Sequence, residues 1–417
     1  MINKNISIII ILSFLTSCGI FIKLDQPDEE IVFKKNPKDR VCKLKDDTVT
    51  LASSTSSDQS LFAERIQIAA QKHRLKPIDV FVIWSLIQMY IRPDKVSPGA
   101  NLQFVDSSSN SPHYRSYNLP SNRDPNLFLN SLKDLLKKYK SRRSLNYLAR
   151  VTDDLSPYQT SVDKELAGLL KSNKSKLISN RAISSYFLKG DQVLRPGEGL
   201  RTFKIWPIVS QAAYKKNATN SHLFPFAVGK GKVANCNFDM RIYQNAVYLI
   251  DESNGEDSHT YSISYKGKTL FGISTQKPDL EKTYSKTYAF TPKGPGTQKA
   301  VCLIQSPNSN LTLISTRGRD SGQHLFNMIE YNIASATTTE EVLTLLEFPR
   351  YLFLLNPERM IYESDRSTEQ QTQTFLNTSF PIYHKSNLGN VWINFNQSQS
   401  STLLIDDRAP NYKSCSK

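Results

Sequence analysis

The first seventeen residues have the layout of an export signal, and this constrains the compartment in which everything after them folds. Met1 to Lys4 gives a positive start, Ile6 to Phe14 forms a mostly apolar core, and small residues lead up to Cys18. The apolar core is too short to span a bilayer permanently. We therefore expect residues 1–17 to be removed on export and the rest of the chain to fold outside the cytoplasm.

The sequence Leu15-Thr16-Ser17-Cys18 resembles the lipobox of bacterial lipoproteins, a match that covers only the first nineteen residues. The resemblance implies that the sulfur of Cys18 carries a diacylglycerol and that the new amino terminus is acylated. Each buried methylene adds roughly 0.8 kcal/mol of membrane affinity, so several acyl chains hold firmly. Gly19 replaces the Asp that favours inner-membrane retention in that family. The expected location is therefore the cell envelope, with the periplasmic face of the outer membrane favoured over the inner membrane or cell surface. An ordinary secretory signal with an incidental cysteine is the alternative.

The length of the chain predicts more than one domain. Removing 17 of the 417 residues leaves 400, which exceeds the size at which single hydrophobic cores usually stop growing. Residues 18–58 are expected to carry the lipidated cysteine and a polar linker. Residues 59–200 are expected to form a mainly helical domain with a basic surface. Residues 201–417 are expected to form a β-rich α+β domain with an antiparallel sheet, additional helices and a polar C-terminal segment.

Helical periodicity dominates before residue 200. Pro77 suits the first turn of one helix. Asp124 and Pro125 are interpreted as the N-cap and first-turn residues of a helix whose amphipathic stripe consists of Phe128, Leu132, Leu135, Leu136 and Tyr139. Thr160 with Asp163 matches a capping box ahead of another leucine-rich helix.

Alternating aromatic, β-branched and polar residues dominate after residue 200. Residues 261–265 and 269–271 flank a Lys266-Gly267-Lys268 turn and predict a hairpin. Residues 300–305 and 311–316 predict a second hairpin. The alternation indicates an antiparallel sheet with one solvated face. Helices are predicted to begin after Asp320 and near Thr338.

The cysteines fit an oxidising compartment. Besides Cys18 the chain has Cys42, Cys236, Cys302 and Cys415, an even number where disulfides persist. They form no CxxC pair and have no His neighbour at metal spacing, so zinc is not expected. Of the three possible pairings, we favour Cys236 with Cys302, in neighbouring β-like segments, and Cys42 with Cys415, near the two ends. Four free thiols are the alternative.

No short motif identifies a catalytic residue, a cofactor or a metal. The sequence has no Walker loop, HExxH, GxSxG or GxGxxG, and its six histidines form no HxH pair. Asp320-Ser321-Gly322 resembles the sequence around the nucleophile of chymotrypsin-like proteases, but the upstream His259 lacks that family's Ala-Ala-His-Cys setting. We therefore interpret Asp320 as a helix cap. The doublet Asp406-Asp407 is expected to be solvated.

Positive charge is concentrated in one part of the chain. Residues 133–204 include 16 basic and 7 acidic residues, so 16 minus 7 gives +9 of the +15 carried by the whole chain. Its densest part, called the basic segment below, consists of Lys137, Lys138, Lys140, Arg142 and Arg143. In an envelope the matching anions are lipid headgroups, lipopolysaccharide and wall polymers, whereas nucleic acid is not expected there. A solvated helix end is the alternative.

The sequence favours a membrane-anchored envelope lipoprotein with a non-enzymatic binding or scaffolding role. Its expected partners are the membrane and another envelope component. The alternative is a lipid-anchored hydrolase that acts on cell-wall or polysaccharide material. Clustered His, Ser and acidic side chains would favour the hydrolase, and a shallow basic or apolar patch would favour binding.

Overall fold

The structure is a computed structural model. It describes residues 40–408 apart from a number of short segments. The gaps fall at 46, 55–59, 109–111, 118–123, 156–158, 180, 202, 216–218, 230, 245–257, 280–290, 296–297, 307–308, 318–319, 356–357, 368–380, 386 and 398–399. The predicted export signal, Cys18 and Cys415 lie outside the described residues.

The helices lie mostly before residue 215 and after residue 320. They are α1 (Ser60–Lys72), α2 (Pro77–Ile91), α3 (Leu127–Lys138), α4 (Leu145–Leu155), α5 (Lys164–Ser172), α6 (Lys174–Ser179), α7 (Arg181–Phe187), α8 (Ile205–Gln211), α9 (Arg241–Gln244), α10 (Ser321–Glu330) and α11 (Thr339–Glu347). Short 3-10 helices cover Ile333–Ser335 and Ser364–Arg366.

The strands run along the whole described chain. They are β1 (Val41–Leu44), β2 (Thr50–Ser53), β3 (Asn101–Asp106), β4 (His113–Tyr117), β5 (Gln159–Ser161), β6 (Leu188–Lys189), β7 (Gln192–Val193), β8 (Gly199–Arg201), β9 (Phe224–Ala227), β10 (Val233–Cys236), β11 (Ser258–Tyr265), β12 (Lys268–Asp279), β13 (Thr291–Pro295), β14 (Val301–Gln305), β15 (Ser309–Arg317), β16 (Tyr351–Leu355), β17 (Glu358–Tyr362), β18 (Ile382–His384), β19 (Asn390–Gln397) and β20 (Ser400–Ile405).

Two antiparallel sheets form the centre of the molecule. Sheet I has the strand order β1-β20-β19-β15-β14-β10-β9, and sheet II has the order β2-β11-β12-β3-β4 with β13 alongside β12. One apolar cluster contains Val105 and Phe271 from sheet II together with Ile314 and Trp392 from sheet I. The two sheets therefore pack face to face, as burial of both apolar faces requires.

Helices cover the outer face of each sheet. A second cluster joins α1–α5 to sheet II, for example Phe81 of α2 with Ile263 of β11. A third joins α10 and α11 to sheet I, for example Leu325 of α10 with Leu313 of β15. The molecule therefore has four layers in the order helices, sheet II, sheet I, helices. This confirms the prediction of an α+β protein with antiparallel sheets.

Both predicted hairpins are present. In the first, Tyr265 of β11 pairs with Lys268 of β12 around Lys266 and Gly267, whose φ angles are 49° and 66°. Positive φ at both central residues gives a turn whose twist matches that of the flanking strands, and glycine adopts it at little cost. In the second, β14 pairs with β15.

The starts of α10 and α11 were predicted correctly from their capping residues. Asp320 accepts a hydrogen bond from the N–H of Gln323 and caps α10, and Thr338 forms a capping box with Glu341 at the start of α11. Two other predicted starts are wrong. The N-cap of α3 is Asn126 rather than Asp124. The capping box predicted at residue 160 is not formed. Thr160 lies in β5, and Asp163 is itself the N-cap of α5, accepting from the N–H of Leu166.

Three other expectations need correction. The sheet does not have one solvated face, because β11 is buried on both sides between a helical layer and sheet I. The polar linker expected over 18–58 contains β1 and β2, which are edge strands of the two sheets. The boundary expected near residue 200 does not separate two cores, since β3 and β4 pair into the same sheet as β11 and β12.

The structure contains the Cys236–Cys302 disulfide that the strand pattern predicted. The two residues face each other in the register of β10 and β14, with Cα atoms 4.1 Å apart. Cys42 is also disulfide-bonded. Its partner is not among the described residues, and Cys415, the predicted partner, lies outside them.

A buried cluster of charges replaces the solvated doublet expected at residues 406–407. Asp406 lies 2.6 Å from Nη2 of Arg350 and 3.0 Å from Nη1 of Arg408, and Arg408 also lies 2.6 Å from Glu363. All four side chains are fully buried. Burial alone would raise the pKa of Asp406, but the neighbouring guanidinium groups hold it well below its usual range. Within the described ranges, no helix is long and apolar enough to cross a bilayer.

Candidate functional site

A serine, a histidine and a glutamine form a hydrogen-bonded chain at one end of sheet II. Ser54 Oγ lies 3.0 Å from Nδ1 of His259, and Nε2 of His259 lies 2.8 Å from Oε1 of Gln88. The Gln88 amide is oriented by its NH2 group, which donates to the carbonyl of Trp84. Because an amide oxygen only accepts, Nε2 carries the ring proton and Nδ1 accepts from the hydroxyl of Ser54.

The Ser54–His259–Gln88 chain is held in place by three elements that are distant from one another in the sequence. Ser54 follows β2 directly, His259 is the second residue of β11, and β2 pairs with β11. Gln88 lies in the last turn of α2, a helix that is buried along almost its whole length. The backbone N–H of Thr260 donates to Ser54 Oγ at 3.0 Å, and the N–H of Ser54 donates to the carbonyl of Thr260 at 2.7 Å. These backbone bonds fix where the hydroxyl points.

The electrostatic surroundings keep the histidine neutral. His259 is fully buried, and burial, reinforced by the positive charge of Arg92, lowers its pKa well below the usual value. At pH 7 the ring is therefore an uncharged imidazole with a free lone pair on Nδ1. That is the form that takes a proton from a serine hydroxyl. Ser54 itself is half-buried, whereas His259 is fully buried.

Two other serines lie beside this chain and differ from Ser54 in geometry. Ser53 is fully buried, and its Oγ is 3.4 Å from both Nε2 of His259 and Oε1 of Gln88, long for a hydrogen bond. Ser258 donates to the carbonyl of Thr316 at 3.1 Å, on the opposite face of β11. Of the three serines, Ser54 is the one within reach of Nδ1.

The protease-like sequence at residue 320 is structural, as interpreted from the sequence. Asp320 caps α10 and also accepts from the hydroxyl of Tyr243 at 2.7 Å. Ser321 Oγ accepts from the backbone N–H of Ala300 at 3.0 Å. This hydrogen bond links the start of α10 to the residue directly before β14. Ser321 is therefore occupied in holding a helix against sheet I.

The basic segment lies at the C-terminal end of α3 and in the turn after it. Lys137, Lys138, Lys140 and Arg142 are exposed. Arg143 differs, because it is half-buried, donates to the carbonyl of His73 at 2.8 Å and stacks on the ring of Tyr147. Four of the five cations are thus placed to meet an anion, and the fifth holds α4 against the end of α1.

The sequence pointed to His259 only as a histidine without a catalytic setting, and it gave no signal for Ser54 or Gln88. Ser54 and Gln88 are 205 and 171 residues away from His259 along the chain. Among the described residues, no group of three or more His, Cys, Asp or Glu is placed to hold a metal ion.

The fold is shared with three solved structures. Two structures of a protein named LmbA2991 match with TM-scores of 0.63 and 0.60 at 7% identity, over 91% of this chain and 99% of theirs. The cephalosporin acylase from Bacillus halodurans matches with a TM-score of 0.59 at 9% identity, over 91% of this chain and 97% of its own. No protein-family model matches the sequence, and no curated protein matches it. At these identities the likeness is one of fold.

Proposed function

We propose that the protein is an envelope-anchored hydrolase that cleaves amide bonds, with Ser54 as nucleophile and His259 as general base. The observation that carries this proposal is the Ser54–His259–Gln88 chain, in which the imidazole of His259 lies 3.0 Å from the hydroxyl on one side and 2.8 Å from the orienting amide on the other. That order of nucleophile, base and orienting group is the one that activates a serine.

Ser54, His259 and Gln88 would each have a separate role in the reaction. The Ser54 hydroxyl passes its proton to Nδ1 of His259 as Oγ attacks the carbonyl carbon of the substrate. Nδ1 returns that proton to the leaving amine as the C–N bond breaks, which leaves an acyl group on Oγ. Water, deprotonated by the same nitrogen, attacks the acyl carbon, and Nδ1 passes that proton to Ser54 Oγ as the acyl–oxygen bond breaks and the acid leaves. Gln88 accepts from Nε2–H throughout and so keeps the lone pair on Nδ1. Because burial lowers the pKa of His259, its protonated form is a strong proton donor to the amine.

Two further features support the substrate class and the place of action. One protein of the same fold is named as a cephalosporin acylase, which favours amide over glycosidic bonds. The lipobox-like sequence at Cys18 favours a lipid anchor on the periplasmic face of the outer membrane, where amide-linked cell-wall material is present. The basic segment would bring the body to anionic lipid, lipopolysaccharide or wall polymer.

Labelling with a fluorophosphonate tests the nucleophile directly. The anchor-free protein is incubated with the probe and digested, and the modified serine is identified by mass spectrometry. We expect modification of Ser54, loss of labelling in Ser54→Ala, and unchanged labelling in the matched neighbour Ser53→Ala. Hydrolysis of chromogenic acyl-amides should fall by at least about a hundredfold in Ser54→Ala.

The variants also separate this proposal from its competitors. Ser258→Ala should behave as wild type, because its hydroxyl points to Thr316 on the other face of β11. Gln88→Met keeps the volume but removes the acceptor for Nε2–H, so it should lower the rate while Ser54 remains present. Labelling at Ser258, or equal labelling of wild type and Ser54→Ala, would refute the assignment of Ser54.

A non-enzymatic binding role is the second candidate. The observation that favours it is the exposed part of the basic segment, four cations on one end of α3 and its following turn. If the protein neither reacts with the probe nor hydrolyses amides, yet sediments with anionic vesicles or lipopolysaccharide at low salt, binding is the better account.

A further inference from the structure

A cavity of about 600 Å³ lies between β9, α9, α10 and β16, on the outer side of sheet I. Four aromatic side chains from the described part of the chain line it: Tyr243, Phe326, Tyr351 and Phe353. The ring of Tyr243 stacks on that of Phe326 with centroids 5.5 Å apart, and the rings of Tyr351 and Phe353 meet edge to face at 5.3 Å. The volume is in the range of small-molecule sites.

The charge of the cavity opposes that of the chain. The protein has 53 Lys and Arg against 38 Asp and Glu, yet the described residues that line the cavity include Glu330 and neither Lys nor Arg. Glu330 is the last residue of α10 and is exposed, with its Oε2 accepting from the hydroxyl of Tyr351. A cavity of this composition favours a positively charged occupant.

Both tyrosine rings are polarised by carboxylates. Tyr351 donates to Glu330, and Tyr243 donates to Asp320 at 2.7 Å. A phenol that donates to an anion has a more electron-rich oxygen and therefore a more negative ring face. Burial and Glu330 raise the pKa of Tyr351, so this phenol keeps its proton and its role as donor. The faces of both tyrosine rings should therefore attract a cation more strongly.

We propose that this cavity binds a small organic ammonium ion, with the ring faces of Tyr243, Tyr351 and Phe353 against its alkyl groups and Glu330 as its counter-ion. A quaternary ammonium suits the site best, because it is weakly hydrated and needs no hydrogen-bond acceptors. Aromatic rings with a nearby carboxylate are the usual recognition elements for such ions. The proposal is independent of the hydrolase assignment, since none of these residues belongs to the Ser54–His259–Gln88 chain.

Calorimetric titration with choline and with its uncharged isostere, neohexyl alcohol, separates charge from shape. We expect choline to bind and neohexyl alcohol to bind at least about tenfold more weakly. Glu330→Gln should weaken choline binding by about tenfold. Tyr243→Phe, which keeps the ring and removes the bond to Asp320, should weaken it by about twofold to threefold. The matched control Glu340→Gln makes the same charge change at an exposed position outside the cavity and should bind as wild type.

The outcomes decide both the site and the source of the ion. Failure of choline to bind, equal binding of the two isosteres, or equal effects of Glu330→Gln and Glu340→Gln would overturn the proposal. Sedimentation with phosphatidylcholine vesicles that free choline competes away would identify a lipid headgroup as the source. Binding of free choline without vesicle sedimentation would identify a soluble ammonium ion instead.

Discussion

Replacing Asp406 by Asn tests how the fold holds four buried charges. Arg350 and Arg408 face Asp406 and Glu363, so two cations are balanced by two anions in a region without solvent contact. The substitution keeps the shape and removes one negative charge. One guanidinium is then buried without compensation, and removing one partner of a buried pair costs about 3–5 kcal/mol.

The sign of the pH dependence follows from the direction of the pKa shift. In the folded state the pKa of Asp406 is held well below its unfolded value of about 3.9, so the carboxylate stabilises the fold fully above that pH. The contribution is lost as the pH falls below about 3.9 toward the folded pKa. The difference between wild type and Asp406→Asn should therefore be largest near neutral pH and shrink on acidification.

Urea unfolding followed by tryptophan fluorescence measures the effect, because Trp84 and Trp392 are fully buried in the folded state. With an m-value of about 3 kcal/mol per M, a loss of 4 kcal/mol lowers the midpoint by about 1.3 M. The matched control is Asp365→Asn, whose carboxylate is 54% exposed and pairs only with His384 at 3.3 Å among the ion pairs of the described chain. This exposed pair should contribute at most about 1 kcal/mol. Equal midpoint shifts in the two variants would show that burial does not set the cost.

Four other predictions follow from the same structure and sequence. Radioactive fatty acid should label the wild-type protein in cells but not Cys18→Ala, and equal labelling would exclude the lipid anchor. Replacing the four exposed cations of the basic segment by Gln should abolish binding to anionic vesicles, and wild-type binding should fade as salt rises from about 50 to 300 mM. Gly272→Ala should cost about 1–3 kcal/mol in urea unfolding, because a Cβ there would overlap the buried Tyr261 ring, whereas Gly168→Ala, with open space around it, should not destabilise. Because burial lowers the pKa of His259 below its unfolded value, stability should fall as pH drops below about 6.5, by up to about 1.4 kcal/mol per pH unit, and His259→Gln should remove that slope.

The sequence predicted the parts of the fold whose causes are local. The Lys266-Gly267 turn and the caps at Asp320 and Thr338 each depend on residues a few positions apart, and all three are present. The arrangement of layers could not be predicted in this way. Thr260 and Ser262 alternate with apolar residues as on a solvated face, yet they are 0% and 2% exposed because β11 lies between α2 and sheet I. Polar alternation therefore marks the two faces of a strand without showing which of them meets water.

The candidate site was hidden from the sequence for a different reason. A serine activated by a histidine needs two side chains at hydrogen-bond distance, and nothing requires them to be close in the chain. Here β2 and β11 pair although their residues lie more than 200 positions apart, and this pairing alone brings Ser54 to His259. The third member, Gln88, is supplied by a helix that packs on the same sheet. A search for contiguous motifs is therefore bound to miss such a site, and its silence carries no weight against a hydrolase. What decides the question is chemical reactivity at Ser54, measured against its neighbour Ser53, whose hydroxyl also lies near His259 but at 3.4 Å from Nε2 rather than at 3.0 Å from Nδ1.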